Sequence, residues 1–491
     1  MPQMSTNPAN YASRLLWSLA AAAILLLTIL DTHMKAESRN DVSYQETYRP
    51  QFHFTARKGW LNDPNGLVYY RGEYHLFFQH NPFGTEWGNM TWGHAVSRDL
   101  VHWEQLPNAI EPDELGTIFS GSAVVDAENT AGLAAGTEKP IVAFYTAAGG
   151  TSPQSQGRRF TQCMAYSLDR GRTFRKYPGN PVVDHIAAEN RDPKVTRHAP
   201  SRQWIMALYL DGNEFALLRS PDLIHWQELQ RLTIPECAEC PDFFPTTVRG
   251  RPNEQKWIFT AANGRYLVGT FDGNRFSPEG PPKQVDFGAN FYAVQTYSGI
   301  PPSDGRRIQI AWMAGGAYPQ MPFNQQMSFP CELTLRPTED GLRLYRWPVR
   351  EIRTLYAAEH RATNRPLRAG QEYRIPAKAE LWDVEMQIQP ASADSIRVTV
   401  RGQEILWERK SATLRFLDRA APLPLRSGEL SLRILADRTS LEVFAQGGRV
   451  SMTSCVLFDP QEREITIHAE GGEARLRSLA ARTLRSAWQT R

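Results

Sequence analysis

Apolar and polar positions alternate in short runs from about residue 50 to residue 335, with turn residues between the runs. "GLVYYRGEYHLFFQ" (66–79) reads as two strands bent at Arg71-Gly72. Ser-x-Asp-type turns followed by an aromatic recur: "SRDLVHWEQL" from Ser97, "SLDRGRTFRKY" from Ser167, "SPDLIHWQEL" from Ser220, and the related "FDGNRFSPEG" from Phe271. Their spacing of roughly 50–70 residues suits four-stranded propeller blades, and the stretch has room for about five. No long segment of helical period interrupts them. The texture changes after 336–355, "RPTEDGLRLYRWPVREIRTL". "GELSLRILADRTSLEVFAQGGRVSMTS" then alternates again, with Leu430, Leu432 and Ile434 on one face, Val443 on a later strand and Gly447-Gly448 at a turn. The predicted fold is all-β: a five-bladed β-propeller over 46–338, a linker over 339–355, and a C-terminal β-sandwich over 356–488 that serves for packing.

Residues 15–30, "LLWSLAAAAILLLTIL", form an apolar run after Arg14. Residues 1–36 therefore read as a signal peptide cleaved after Ala36, giving a secreted or periplasmic protein, or as an uncleaved membrane anchor. The remaining composition is that of a globular protein of two or three domains. A net charge of +3 over 491 residues gives no reason to invoke nucleic acid or an anionic membrane. Five cysteines at wide spacing show no disulfide framework. Cys237 and Cys240 form a lone C-x-x-C with no second ligand pair, and His75, His80, His94 and His102 lack ligand spacing. No metal or cofactor is expected. Thirteen Trp, 17 Tyr and 22 Phe supply flat faces of the kind that stack on sugar rings.

Three acids stand in front of prolines: Asp63 in "NDP", Asp192 in "RDP" and Glu239 in "ECP". Proline restricts its predecessor to extended backbone, which predicts carboxyls aimed from strand ends, with Asn65-Gly66 turning the chain after Pro64. A propeller brings strands of different blades to one axis, so the three can meet there. Convergent carboxyls among aromatics suit glycoside hydrolysis. Trp60, Trp87 and Phe119 are candidates to stack on sugar, and Asn62, Gln79 and Arg191 to bind hydroxyls; Arg191 and Asn62 would also favour an ionised Asp63.

"WLNDPNG" (60–66), "FSGS" (119–122), "RDP" (191–193) and "ECPD" (239–242), in this order, resemble the motif set of glycoside hydrolase family 32. That family includes invertases, inulinases, levanases and fructan exohydrolases. "WGHAVSRDLVHW" (92–103), "DFGANFYAVQT" (286–296), "IAWM" (310–313) and "DRTSLEVFAQGG" (437–448) extend the likeness along the chain. The resemblance implies a propeller followed by a sandwich, with Asp63 as nucleophile, Glu239 as acid/base and Asp192 as transition-state stabiliser. It implies that Trp60, Asn62, Gln79, Trp87, Phe119, Ser120, Arg191, Tyr292 and Trp312 line a fructosyl pocket. Glu236 repeats the Glu-Cys pair three residues early but lacks the following Pro-Asp. The implied activity is that of a retaining, exo-acting β-fructofuranosidase on levan, inulin and sucrose. A fructosyltransferase shares the same intermediate, and a catalytically inactive sugar-binding propeller shares the fold.

Overall fold

A computed structural model describes residues 44–488. The segment 1–36 lies outside the described residues. Five antiparallel sheets follow one another along the chain. Their first strands are Gly59–Tyr70, Thr117–Val125, Arg191–His198, Asp242–Thr247 and Tyr292–Thr296. Each first strand packs against the next, and the fifth against the first, so they form a closed ring around one axis. The fold is a five-bladed propeller followed by a sandwich of two six-stranded sheets. The closure is hydrogen-bonded: Tyr69 N–H donates to Ser298 O at 2.9 Å and Ser298 N–H to Leu67 O at 2.9 Å. The late strand Phe323–Asn324 also returns to pair in parallel with Gly59–Trp60 of the first blade.

The recurring turn proves to be a blade device. Asp99 accepts N–H bonds from Val101 and His102, Asp222 from Ile224 and His225, and Asp169 from Arg172 and Thr173. Each carboxylate thereby satisfies backbone donors where the third strand turns into the outer fourth. Trp103 and Trp226 close the same turns by donating to Leu100 O and Leu223 O. Residues 341–348, expected within the linker, form the outer strand Gly341–Pro348 of the fifth blade, paired with Cys331–Thr338. Only the short 3₁₀ segment Arg350–Leu355 separates it from the sandwich.

In the sandwich Leu430, Leu432, Ile434 and Val443 are buried in one core with Trp382, Trp407 and Phe416. A buried charged seam joins it to the propeller. His53 is held between Asp437 and Glu442, 2.9 Å from each carboxylate. Asp437 also accepts the N–H groups of Gln51, Phe52 and His53. Arg346, from the last strand of the fifth blade, donates to Glu442, Asp286 and Thr453. With a carboxylate on each ring nitrogen, both nitrogens of His53 serve as donors, so the ring carries a charge. Burial alone would strip its proton, but the bonds and charges of Asp437 and Glu442 outweigh that and raise its pKa from 6.5 to about 9.

This seam makes stability depend on alkali. A basic group with a raised native pKa contributes fully below its unfolded value, here 6.5, and loses that contribution as pH rises through about 9. The shift corresponds to about 3 kcal/mol. Denaturant unfolding of the parent should show this decline between pH 6.5 and 9, and His53→Gln should be less stable at pH 6 and lack the slope. Parallel profiles for parent and variant would rule the seam out as its source.

Candidate active site

Register shifts build the site. In the first blade Leu61 pairs with His80 and Pro64 with Phe78, which leaves Asn62 and Asp63 opposite Gln79 alone. The same bulge sets Phe119-Ser120 opposite Thr146, Asp192-Pro193 opposite Leu208, and Ala293-Val294 opposite Ala311. A bulge inserts one residue, twists the strand and re-aims its side chains. Four innermost strands thus carry it near their starts, on one end of the ring. In the remaining blade Glu239 precedes the first strand, and Ala262 N–H donates to its carbonyl at 3.0 Å. Gly121 is required beside the second bulge, because a Cβ there would stand 1.9 Å from Phe144 O.

Two expectations about backbone are corrected. Asn65-Gly66 is no turn: it lies inside the strand, at a second bulge where Gly66 has φ +54°. The residues before Pro193 and Pro241 are not extended. Asp192 has φ +65°, Cys240 φ +43° and Glu239 φ +36°. Such left-handed backbone costs on the order of 1–2 kcal/mol per residue and persists only where surroundings impose it. Here Asp192 N–H donates to Thr146 Oγ1 at 3.0 Å, while its Oδ2 accepts Cys240 N–H at 3.0 Å.

The three acids meet. Ser120 Oγ–H donates to Asp63 Oδ2 at 2.5 Å and Asn62 Nδ2 to Asp63 Oδ1 at 3.1 Å. The Cys240 thiol lies 3.6 Å from Asp63 Oδ2 and 3.4 Å from Asp192 Oδ2, bridging the two carboxyls. Arg191 donates twice to Glu239 Oε2, at 3.2 and 2.8 Å, and lies 3.9 Å from Asp192. It does not pair with Asp63, contrary to expectation. Tyr292 O–H donates to the other Glu239 oxygen. Glu236, by contrast, is 67% exposed and pairs with Arg265.

Aromatic side chains wall this cluster. Trp60 stands edge-on to Trp312 at 6.1 Å, and Trp312 to Tyr292 at 6.3 Å. Trp60 Nε1 donates to Asn62 Oδ1, and Trp312 Nε1 to Gln325 Oε1. Trp87, 56% exposed on the loop after the second strand, meets Phe119 edge-on at 5.9 Å. Gln79 is buried opposite the first bulge, and its Nε2 has no hydrogen-bond partner in the protein. Cys240, Thr146 and Gln325 were not expected as site residues. Cys240 sat inside a quoted motif; Thr146 is marked only as the one polar residue of the apolar run "IVAFYTAA", and Gln325 carries no local signal.

Charge crowding dominates the electrostatics. Burial raises the Asp63 carboxyl above its ordinary value, with Glu239 adding to the effect, against the bonds from Ser120 and Asn62. Burial, the charge of Glu239 and that of Asp63 raise Asp192 to about 7, against the pull of Arg191. Burial and the same carboxylates push the Cys240 thiol well above its usual range. Ligand atoms of Asp63, Asp192 and Cys240 lie within 4.8 Å of one another. In the free protein the thiol serves there as a donor to both carboxylates.

The comparisons with known proteins now decide the family. Residues 53–348 match the model of the glycosyl hydrolases family 32 N-terminal domain, and residues 351–483 that of the family 32 C-terminal domain.

The chain belongs to glycosyl hydrolase family 32.

A levanase of Bacillus subtilis (strain 168) is 37% identical over 95% of this chain and 75% of its own length. An extracellular exo-inulinase of Aspergillus ficuum is 30% identical over 91% of this chain and 96% of its own. Among solved structures, the exo-inulinase of Aspergillus awamori superposes with a TM-score of 0.81, at 28% identity, over 91% of this chain and 100% of that one. A Schwanniomyces occidentalis fructofuranosidase solved with fructose gives the same TM-score, 0.81, at 28% identity over 91% and 100%. The family membership accounts for the ordered motifs and for the propeller–sandwich pair.

The crowding predicts a stability gain on removing one acid. For a carboxyl with a raised native pKa, ionisation opposes folding. The penalty is absent below 3.8 and complete above about 7. Asp192→Asn should therefore be more stable than the parent at pH 8, on the order of 1–3 kcal/mol, and no more stable at pH 4. Denaturant unfolding at both values tests this; a loss of stability at pH 8 would refute the reading of the cluster.

Proposed function

We propose that this family 32 chain is a retaining, exo-acting β-fructofuranosidase that removes terminal fructosyl units from levan- or inulin-type fructans and from sucrose. The observation that carries the reading is the convergence of three carboxyls, each from a different blade, within one aromatic-walled cluster. In this proposal Asp63 attacks the anomeric carbon and forms a fructosyl ester. Glu239 protonates the departing oxygen and then deprotonates the water that hydrolyses the ester. Asp192 accepts hydrogen bonds from fructose hydroxyls as positive charge develops on the ring. Trp60, Phe119, Tyr292, Trp312 and Trp87 border the sugar, while Asn62, Gln79, Ser120 and Arg191 present polar groups to it. The unpartnered Gln79 amide supports this, because a buried donor left unpaired in the free protein gains a bond when a hydroxyl arrives.

Burial and the charges of Glu239 and Asp63 raise Asp192 to about 7, and burial raises Asp63 as well, so the cluster opposes full ionisation near neutral pH. Residues 1–36 fit an export signal or an anchor, and relatives named as extracellular support action outside the cytoplasm. Among the described residues no helix is long and apolar enough to cross a membrane.

Three substitutions test the roles. Asp63→Ala should abolish turnover of every fructoside. Glu239→Ala should slow inulin or levan hydrolysis by roughly 10²–10⁴-fold, the usual share of acid–base catalysis. It should largely spare the first step on a fructoside with an acidic phenol as leaving group. Added azide should restore the second step. Glu236→Ala, altering an exposed side chain paired with Arg265, should keep the parent's leaving-group dependence. Chromatography of early products should show fructose alone. Oligosaccharides appearing first, or the leaving-group signature at Glu236, would count against the assignment.

A further inference from the structure

The sandwich was expected to serve for packing, yet its edge holds the propeller segment that leads to Tyr292. Val450–Cys455 is the outermost strand of its sheet. The segment just before Tyr292 lies along that free edge. Asp286 bridges Ser451 in parallel, Phe287 N–H donates to Ser451 O at 2.8 Å, and Asn290 N–H to Thr453 O at 3.0 Å. Thr453 N–H returns to Asp286 Oδ1 at 3.0 Å. The approach is so close that a Cβ on Gly288 would stand 2.1 Å from Thr453 O. An edge strand needs such cover, and here a piece of the propeller provides it.

Asn290 makes this seam more than cover. Its Oδ1 accepts Cys455 N–H at 2.8 Å, and its Nδ2 donates to Ala314 O. Tyr292 lies two residues after Asn290, and Trp312 two residues before Ala314. Tyr292 and Trp312 are paired across neighbouring strands with their rings edge-on. The Tyr292 hydroxyl donates to Glu239. One amide therefore ties the sandwich edge to both segments that wall the cluster next to Glu239.

We propose that Asn290 is a positioning residue that uses the free edge of the sandwich to hold Tyr292 on the Glu239 carboxyl and Trp312 beside it. The kinetic part rests on the reading of Glu239 as acid/base; the geometric part does not. The Tyr292 side chain supplies one of the two residues that orient Glu239, the other being Arg191. When the tie is cut, Tyr292 is freed and the Glu239 carboxyl loses its order. Protonation of a poor leaving group then suffers more than attack by Asp63.

The test uses the full chain with Asn290→Ala, Tyr292→Phe and the double variant. Asn290→Ala should slow hydrolysis of inulin by about tenfold or more while changing the first step on an activated aryl fructoside by less than about threefold. In the double variant the two losses should not add, because both act through one contact. The crystal structure of Asn290→Ala should show the Tyr292–Glu239 bond broken. Equal losses on both substrates, additive losses, or an intact Tyr292–Glu239 bond would each overturn the proposal. Should Asn290→Ala fail to fold, Asn290→Asp carries the test. It keeps the acceptor for Cys455 N–H and loses the donor to Ala314, so it should retain the Tyr292–Glu239 bond and the parent's leaving-group dependence while raising KM. Loss of that bond with the Cys455 bond intact would overturn the proposal. A parent that releases no fructose would overturn the proposed function alone, and the crystal structures would still decide whether Asn290 places Tyr292.

Discussion

Three carboxyls converge on one site, Asp63 and Asp192 bridged by the Cys240 thiol and Glu239 held by Arg191, and the rest of the molecule is arranged to keep them together. Left to themselves, Asp63, Asp192 and Glu239 would separate or hydrate, since like charges in a poorly solvated site repel strongly. Burial and mutual repulsion raise both Asp63 and Asp192. Short polar contacts, from Ser120 and Asn62 to Asp63 and from Cys240 to both aspartates, offset part of this cost. The remainder falls on the scaffold. A closed ring suits that task because no blade can move outward without breaking contact with both neighbours. The stability that Asp192→Asn is expected to gain is a measure of what the ring withholds.

The same constraint explains the left-handed backbone of Asp192, Glu239 and Cys240. Proline alone would place Asp192 and Cys240 in extended conformations. Non-local bonds override that local preference: Thr146, on the second blade, takes the Asp192 N–H, and Ala262 takes the Glu239 carbonyl. Strain of this kind is tolerated where several elements fix one residue.

Much of the architecture was legible because its signals are local. Alternation marks strands, and the Ser-x-Asp turn recurs because three of the blades satisfy the same exposed N–H groups at the same bend. The sandwich followed from the Leu430–Ile434 alternation for the same reason. The last strand of the fifth blade was missed because "GLRLYRWP" carries Arg343 and Arg346 at positions that look solvated. Arg346 is in fact buried between Glu442, Asp286 and Thr453, partners far away in sequence. The trio of acids was visible through motif order. The bulges that aim them were not, since register is a property of two strands and cannot be read from one.

The positions opposite the bulges show where sequence reading can be sharpened. The second strands of the first two blades are largely buried, as "EYHLFFQHN" and "IVAFYTAA". A polar side chain in the middle of such a strand needs a partner or a function. Gln79 and Thr146 are the residues that face the bulges of the first and second blades. Thr146 satisfies itself with Gln162 and Asp192. Gln79 leaves one amide hydrogen-bonding group unspent within the protein. In the third and fifth blades the facing residues are Leu208 and Ala311, which ask for nothing. The residue across from the bulge is thus polar in the two blades that hold Asp63 and its partner Ser120, and apolar in the two that bring Asp192 and Tyr292 to the same cluster.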